Sequence, residues 1–353
     1  MSQSTHIIPG ITRGSALVVT SINPPNPVMT SLRDSARENG VRFLVMGDTK
    51  SPADFRLDGC EYMDLPAQFN TDLKFAALCP IRHCALKNIG YLIAMQGGAP
   101  LIIETDDDNF PRPGFFAARQ RETSASIVSD RAGVNLYRYF TDAMIWPRGL
   151  PLDMIQAPMP AFEMLPTAAV DCPIQQGLAD ANPDVDAIYR LILPLPQDFL
   201  ADRRVALAPG AWCPFNSQNT TWWPETYPLL YLPAYCSFRM TDIWRSFVAQ
   251  RIASANGWHV PFHEPTVWQE RNDHNLMRDF ADEVPGYLNN SRIRETLEDL
   301  SLPGGVAHIP DNLRTCYEAL VGLCVVGAEE LSLLDAWLDD IAAIPKPRAE
   351  SVA

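Results

Sequence analysis

The segment "APLIIETDDDNFPRP" (99–113) joins an apolar run, Leu101 to Ile103, to three consecutive carboxylates, Asp106, Asp107 and Asp108. Such a short apolar run suits a buried strand. Three adjacent carboxylates repel one another, and each resists ionisation unless a cation lies among them. In open α/β sheets ligands bind outside the carboxyl ends of the strands, which is where this acidic group falls. The segment therefore predicts an α/β fold with a ligand site at the end of this strand.

Upstream, Ile81, Cys84, Ala85, Ile89, Leu92, Ile93 and Met95 recur at helical spacing, and Gly97-Gly98 stops that helix. Further back, "ALVVTS" (16–21) predicts a strand, "NPPNP" breaks the chain, and Val28 to Asn39 predict a helix closed by Gly40. "VRFLVMGD" (41–48) then predicts a second strand, so the first 50 residues form the repeating unit of a parallel sheet.

Downstream, short strands are expected at 143–146, 187–193 and 205–207 between proline-rich loops, then a helix over 239–255. "WHVPFHEPTVW" (258–268) is expected to be extended. Beyond about 270 the pattern is mainly helical, including 311–325 and 328–343, and no internal repeat is present. The division expected is an extension over 1–15, an α/β body over 16–285 and a helical region over 286–353.

The chain has 353 residues, and its 47% hydrophobic content supports a sizeable core. Lys and Arg number 28 against 42 Asp and Glu, a net charge of -14, which disfavours sequence-independent nucleic-acid binding. A phosphorylated small ligand remains compatible, because a local site can be basic or metal-bridged within an acidic whole. The eight Cys show no C-x-x-C pair or zinc spacing, as expected of buried thiols in a reducing compartment. The 31 Pro cluster between periodic segments, where they shape ordered loops. The opening "MSQSTHIIPGITRGS" lacks the pattern of a signal peptide, and no apolar run approaches the roughly 18 residues of a membrane span. A cytoplasmic, soluble protein is expected. The dinucleotide glycine fingerprint, the P-loop and the nucleophile elbow are all absent.

Asp106, Asp107 and Asp108, with Glu104 and Asn109, offer the oxygen ligands that Mg²⁺ and Mn²⁺ prefer, alongside phosphate oxygens. The same residues would also suit an acidic turn. Arg148 in "WPRGLPL" fits a bidentate phosphate clamp or a structural ion pair. Lys87 and Arg82 fit either phosphate contacts or a solvated surface, and Asp48 and Lys50 fit a nucleobase or ribose edge. Asp242 in "FRMTDIWRSFVAQR" fits a helix cap or a base for an acceptor hydroxyl. "FNSQNTTWW" (215–223) suits hydroxyl-rich ligands or a hydrogen-bonded loop. His259, His263 and His274 offer a metal ligand or structural imidazoles.

"KNIGYLIAMQGGAPLIIETDDDN" (87–109), "WPRGLPL" (146–152), "QQGLADANPDVDAIYRL" (175–191), "FNSQNTTWWPETYPLLYLPAYCSFRMTDIWRSFVAQR" (215–251) and "PTVWQERND" (265–273) follow in an order that resembles the STELLO-type glycosyltransferase-like proteins. More distantly the chain resembles the reversibly glycosylated polypeptides, which are UDP-arabinopyranose mutases. The resemblance covers roughly 16–285. It implies a GT-A nucleotide-sugar fold, a UDP-sugar donor, a glycan or glycoconjugate acceptor, and Mn²⁺ (or Mg²⁺). By the same resemblance Asp106, Asp107 and Asp108 would form the metal site, and Thr20 of "VTSINPP" with Asp48 the nucleoside side. Lys87, Asp106 and Arg148 would face the diphosphate. Arg148 falls where the mutases carry the arginine that becomes glycosylated, and Asp184, Asp186 and Asp242 match acidic positions of the relatives. The catalytic set expected is Asp242, Arg148 and Asp186.

STELLO proteins are longer and membrane-anchored, so their location does not carry over. Relatives also place a His where this chain has Trp268 and Gln269, so a His ligand would have to be His263 or His274. The function expected is a metal-dependent hexosyl or pentosyl transferase, compatible with a homo-oligomer. The alternatives are a mutase that glycosylates Arg148 transiently, and a non-catalytic nucleotide-sugar-binding scaffold. A guanidinium stays protonated at neutral pH, so arginine as a sugar acceptor is the more demanding chemistry.

Overall fold

The computed structural model describes residues 11–130, 133–270 and 275–345. The strands are β1 (Ala16–Thr20), β2 (Arg42–Met46), β3 (Glu61–Met63), β4 (Ile102–Thr105), β5 (Asn109–Pro111), β6 (Glu122–Val128), β7 (Thr167–Asp171), β8 (Ile174–Asp180), β9 (Arg204–Leu207), β10 (Asn219–Trp222) and β11 (Val260–Gln269). They form one mixed sheet in the order β3-β2-β1-β4-β10-β8-β11-β9-β6-β7, with β5 paired to β11. Strands β3, β2, β1 and β4 run parallel, and β10 is antiparallel to both β4 and β8.

The helices are α1 (Pro27–Asn39), α2 (Leu65–Phe69), α3 (Lys74–Leu78), α4 (Lys87–Gln96), α5 (Ala187–Ile192), α6 (Thr241–Ala255), α7 (Leu276–Asp299), α8 (Ile309–Gly322) and α9 (Glu330–Ala343). They cover both faces of the sheet, which explains the uninterrupted apolar strands. Ala16, Val18, Leu44 and Met46 point into the larger core beside α4 and α6. Leu17, Val19, Phe43 and Val45 point into the second core, which α1 closes with Val28, Met29, Leu32 and Ala36. The α1 boundaries are set locally: Asn26 accepts the Met29 N–H at 2.8 Å, and Gly40 ends the helix.

Helix α4 packs closely on the parallel strands because Gly90 has no side chain. A Cβ there would lie 2.6 Å from Val18 and 3.0 Å from Met46. Gly90→Ala is therefore expected to lower stability by about 1–3 kcal/mol through overpacking. An unchanged urea midpoint would contradict this packing.

Two local expectations are corrected, and two central strands were not foreseen. Residues 143–146 form no strand, although Ile145 and Trp146 are buried. Where a strand was expected at 187–193, Ala187–Ile192 form helix α5, because Asp186 caps it by accepting the Tyr189 N–H at 2.8 Å. The apolar run there was short enough to suit either element. Strands β8 and β10 escaped the periodicity reading because the centre of the sheet is polar. Gln175, Gln176, Asn219 and Thr220 are all buried there, and Thr220 donates to Gln176 Oε1 at 2.8 Å.

The boundary expected at 286 falls inside α7. Ile293, Leu297, Leu313, Tyr317, Leu333 and Trp337 share the larger core with Phe75, Tyr231 and Trp244. Asp340 of α9 accepts the Lys74 and Phe75 N–H groups at 3.0 and 2.8 Å, and Glu330 accepts those of Ala234 and Tyr235 at 3.0 and 2.7 Å. The C-terminal helices thus pack into the α/β body. All eight Cys are free thiols.

Candidate active site

A cleft of 1030 Å³ opens at the carboxyl ends of the parallel strands β1, β2 and β4. Thr20 and Asp48 line one side of it, Asp106, Asp107 and Asp108 lie on its floor, and Arg148, Asp184 and Asp242 form part of the wall. The start of α7 adds Asn275, Arg278, Asp279 and Asp282. Sequence reading missed this last group, because polar residues on a helix carry no periodic signal that they face a cleft.

The three aspartates diverge. Asp106 accepts from Lys87 Nζ at 3.2 Å, and Lys87, itself buried, also donates to the Thr105 carbonyl at 2.8 Å. Asp107 accepts from Ser21 and from Asn23 at 3.0 Å, which ties the loop after β1 to the acidic turn. Asp108 accepts from Gln269 at 3.0 Å and from Asn109 at 3.4 Å. Among the described residues no three His, Cys, Asp or Glu side chains converge into a cation cage. Asp106 and Asp108 nonetheless both line the cleft, and one or two carboxylates with phosphate oxygens are the usual complement for Mg²⁺ or Mn²⁺. The donor set fits such an ion.

Desolvation in this recess pushes the Asp106 pKa up to about 7, against the pull of Lys87 and with a push from Asp108. A cation competes with that proton, so Mn²⁺ affinity is expected to rise steeply with pH up to about 7 and to level off above it. Calorimetric titration across this range checks it, and a flat profile would contradict it. For stability without metal the sign is opposite. The contribution of Asp106 is fully present below its ordinary pKa of 3.8 and is lost as pH rises through about 7.

Arg148 is buried and holds the cleft wall together. Its Nε and Nη2 donate to Asp184 at 2.8 and 2.9 Å, and its Nη1 and Nη2 each donate to Asp242 at 3.1 Å. Its remaining N–H goes to the Arg239 carbonyl, so all five guanidinium donors are engaged within the protein. The glycine that follows is required by geometry. Gly149 has φ 89°, and a Cβ there would lie 2.3 Å from Ile243. Burial would push the Asp242 carboxyl up, but Arg148 and the Ser217 N–H hold it down to about 2.

Asp186 does not line the cleft. It caps α5 and accepts the Trp146 indole N–H at 2.7 Å, a structural position. Asp48 lines the cleft, and its Oδ1 accepts the backbone N–H groups of Thr49 and Arg82 at 2.6 and 3.0 Å. His263 is buried within β11, six residues or about 20 Å of strand from the Gln269 end that meets Asp108. Burial, then Arg119 and Arg204, push its pKa down to about 3, and its Nδ1 contacts the Glu264 carbonyl. It lies outside the cleft lining, as does His259. His274 falls outside the described residues.

Residues 239–346 match the family model of STELLO glycosyltransferases. Over 349 residues the chain is 27% identical to a protein of Arabidopsis thaliana named probable glycosyltransferase STELLO2, covering 91% of this chain and 44% of that one. Over 364 residues it is 26% identical to the probable glycosyltransferase STELLO1 of the same plant, covering 95% of this chain and 45% of that one. The chain thus carries STELLO similarity over most of its length, and glycosyltransferase is the class this similarity supports. The likeness continues past residue 285 into the C-terminal helices, in keeping with their shared core. The chain spans less than half the length of these curated relatives. Among the described residues no helix is long and apolar enough to cross a membrane.

Proposed function

We propose that this chain is a divalent-metal-dependent glycosyltransferase of GT-A type, moving a sugar from a nucleoside diphosphate donor to a hydroxyl of a glycan or glycoconjugate acceptor. Uridine is the base proposed, and Mn²⁺ or Mg²⁺ the cation. The observation that carries the reading is the acidic floor at the carboxyl ends of β1, β2 and β4. An anionic donor entering beside Asp106, Asp108, Asp184 and Asp242 needs a positive counter-charge, and oxygen ligands suit a hard divalent ion. When bound, such an ion would neutralise the departing diphosphate as a Lewis acid.

The protein's own groups prepare the site. Asp106 and Asp108 would hold the cation, and Lys87 fixes Asp106 from behind. Asp107 fastens the loop after β1 through Ser21 and Asn23, which orders the nucleoside side near Thr20. Arg148, Asp184 and Asp242 form a rigid wall on the acceptor side. A carboxylate held near pKa 2 is a weak base, so Asp242 acts in this reading as the anchor of Arg148 instead of as proton acceptor.

The mutase alternative needs an Arg148 nitrogen to leave a carboxylate and lose a proton. Its two carboxylate partners outweigh the cost of burial and raise its pKa well above the ordinary value, which opposes that step. Mass spectrometry after incubation with a UDP-sugar is expected to find no adduct on the peptide bearing Arg148, and a stable adduct would revive the mutase. For the main reading, thermal-shift screening of nucleotide sugars is expected to give its largest shift with a UDP-sugar plus Mn²⁺. Equal shifts with EDTA, or none with any nucleotide sugar, would contradict it.

A further inference from the structure

Of the cations that the sequence offered for phosphate, Lys87 and Arg148 are already engaged. Arg148 gives all five N–H groups to protein acceptors, and Lys87 gives its protons to Thr105, Asp106 and, at 3.5 Å, Ser217. Arg239 is paired with Glu283 at 2.9 Å, and Arg190 donates to the Pro183 carbonyl. Two cleft-lining cations remain exposed with no side-chain hydrogen bond or ion pair among the described residues, Lys50 and Arg82.

Arg82 also has an unusual backbone. Four described residues other than glycine have positive φ, and of these only Arg82, at 61°, lines the cleft. A left-handed arginine is uncommon, and such conformations persist only where the surroundings impose them. Here the Asp48 carboxylate at the end of β2 accepts the Arg82 N–H at 3.0 Å, while His83 Nδ1 accepts the Ala85 N–H at 3.0 Å and starts the turn that leads into α4. Asp48 therefore joins the loop bearing Lys50 to the loop bearing Arg82, and both cations line the same cleft as the acidic floor.

We propose that Arg82, assisted by Lys50, binds the phosphate oxygens of the nucleoside diphosphate, and that Asp48 positions Arg82 by holding its backbone. This rests on the glycosyltransferase reading above and changes its phosphate-binding residues. A guanidinium matches phosphate bidentately, and its partner-free state lets it engage the donor without breaking an internal ion pair.

The test is calorimetry of the full chain in Mn²⁺ with UDP, and with uridine by competition, on wild type and the Arg82→Gln, Arg82→Gly and Lys50→Gln variants. Arg82→Gly relieves the left-handed backbone while removing the guanidinium. Both Arg82 variants are expected to bind UDP about tenfold or more weakly, with uridine unaffected, and Lys50→Gln to show a smaller loss in the same direction. Unchanged UDP affinity in the Arg82 variants, an equal loss for uridine, or retention by Arg82→Gly alone would overturn the proposal. Wild type that binds no UDP in Mn²⁺ would instead overturn the glycosyltransferase reading, and this assignment with it.

Discussion

Asp106→Ala is expected to lower sugar transfer by about 100- to 1000-fold, the scale seen when one group stabilising developing charge is removed. Asp106 is the floor carboxylate whose position is fixed from behind by a buried lysine and whose outer oxygen, Oδ2, accepts no hydrogen bond among the described residues. Removing it takes away a cation ligand and leaves Lys87 with only carbonyl acceptors. The defect should appear in the Mn²⁺ dependence, with more metal needed for half-maximal rate. Asp107→Ala should behave differently, because Asp107 ties Ser21 and Asn23 and supports a loop. A kcat/KM for Asp106→Ala within about threefold of wild type would remove the floor from the chemistry.

Arg148→Met is expected to lower folding stability by about 3–5 kcal/mol, the cost of removing one partner from a buried ion pair. The substitution leaves Asp184 and Asp242 facing each other without the cation between them. It also frees the Arg239 carbonyl and loosens the join between the cleft wall and α6. Asp242, now without its main cation, should lose the depression of its pKa, so the variant's stability should recover partly at acidic pH. Urea unfolding at two pH values measures both effects. A change below about 1 kcal/mol would show Arg148 to be a solvated, replaceable clamp.

How much of this was legible in the sequence follows from which forces leave a pattern. Strands β1, β2 and β4 are buried on both faces, so they read as apolar runs, and α1 carries its own cap signals in Asn26 and Gly40. The acidic turn could be placed at a strand end for the same reason. The centre of the sheet could not be read, because its buried polar side chains are satisfied by hydrogen bonds that only the folded chain assembles: Thr220 donates to Gln176 Oε1 and the Asn216 carbonyl, and Asn219 to the Leu178 carbonyl. Helix α5 was hidden by its length, and α7 was set apart because its contacts with the cleft come from distant residues. Within the site the sequence picked out Asp106, Asp108, Asp48 and Arg148, and the structure brings all four to one cleft. Their division of labour was not legible. That Arg148 is fully engaged and Arg82 is not depends on side-chain partners 36 and 94 residues away from Arg148.

The decisive measurement is an anomalous difference map from a crystal of the full chain soaked with Mn²⁺ and UDP. A manganese peak within coordinating distance of Asp106 and Asp108, bridged to the UDP phosphates, is the outcome expected here. A nucleotide seated elsewhere, or a manganese peak that touches neither carboxylate, would show that the acidic turn is only a structural feature of the loop.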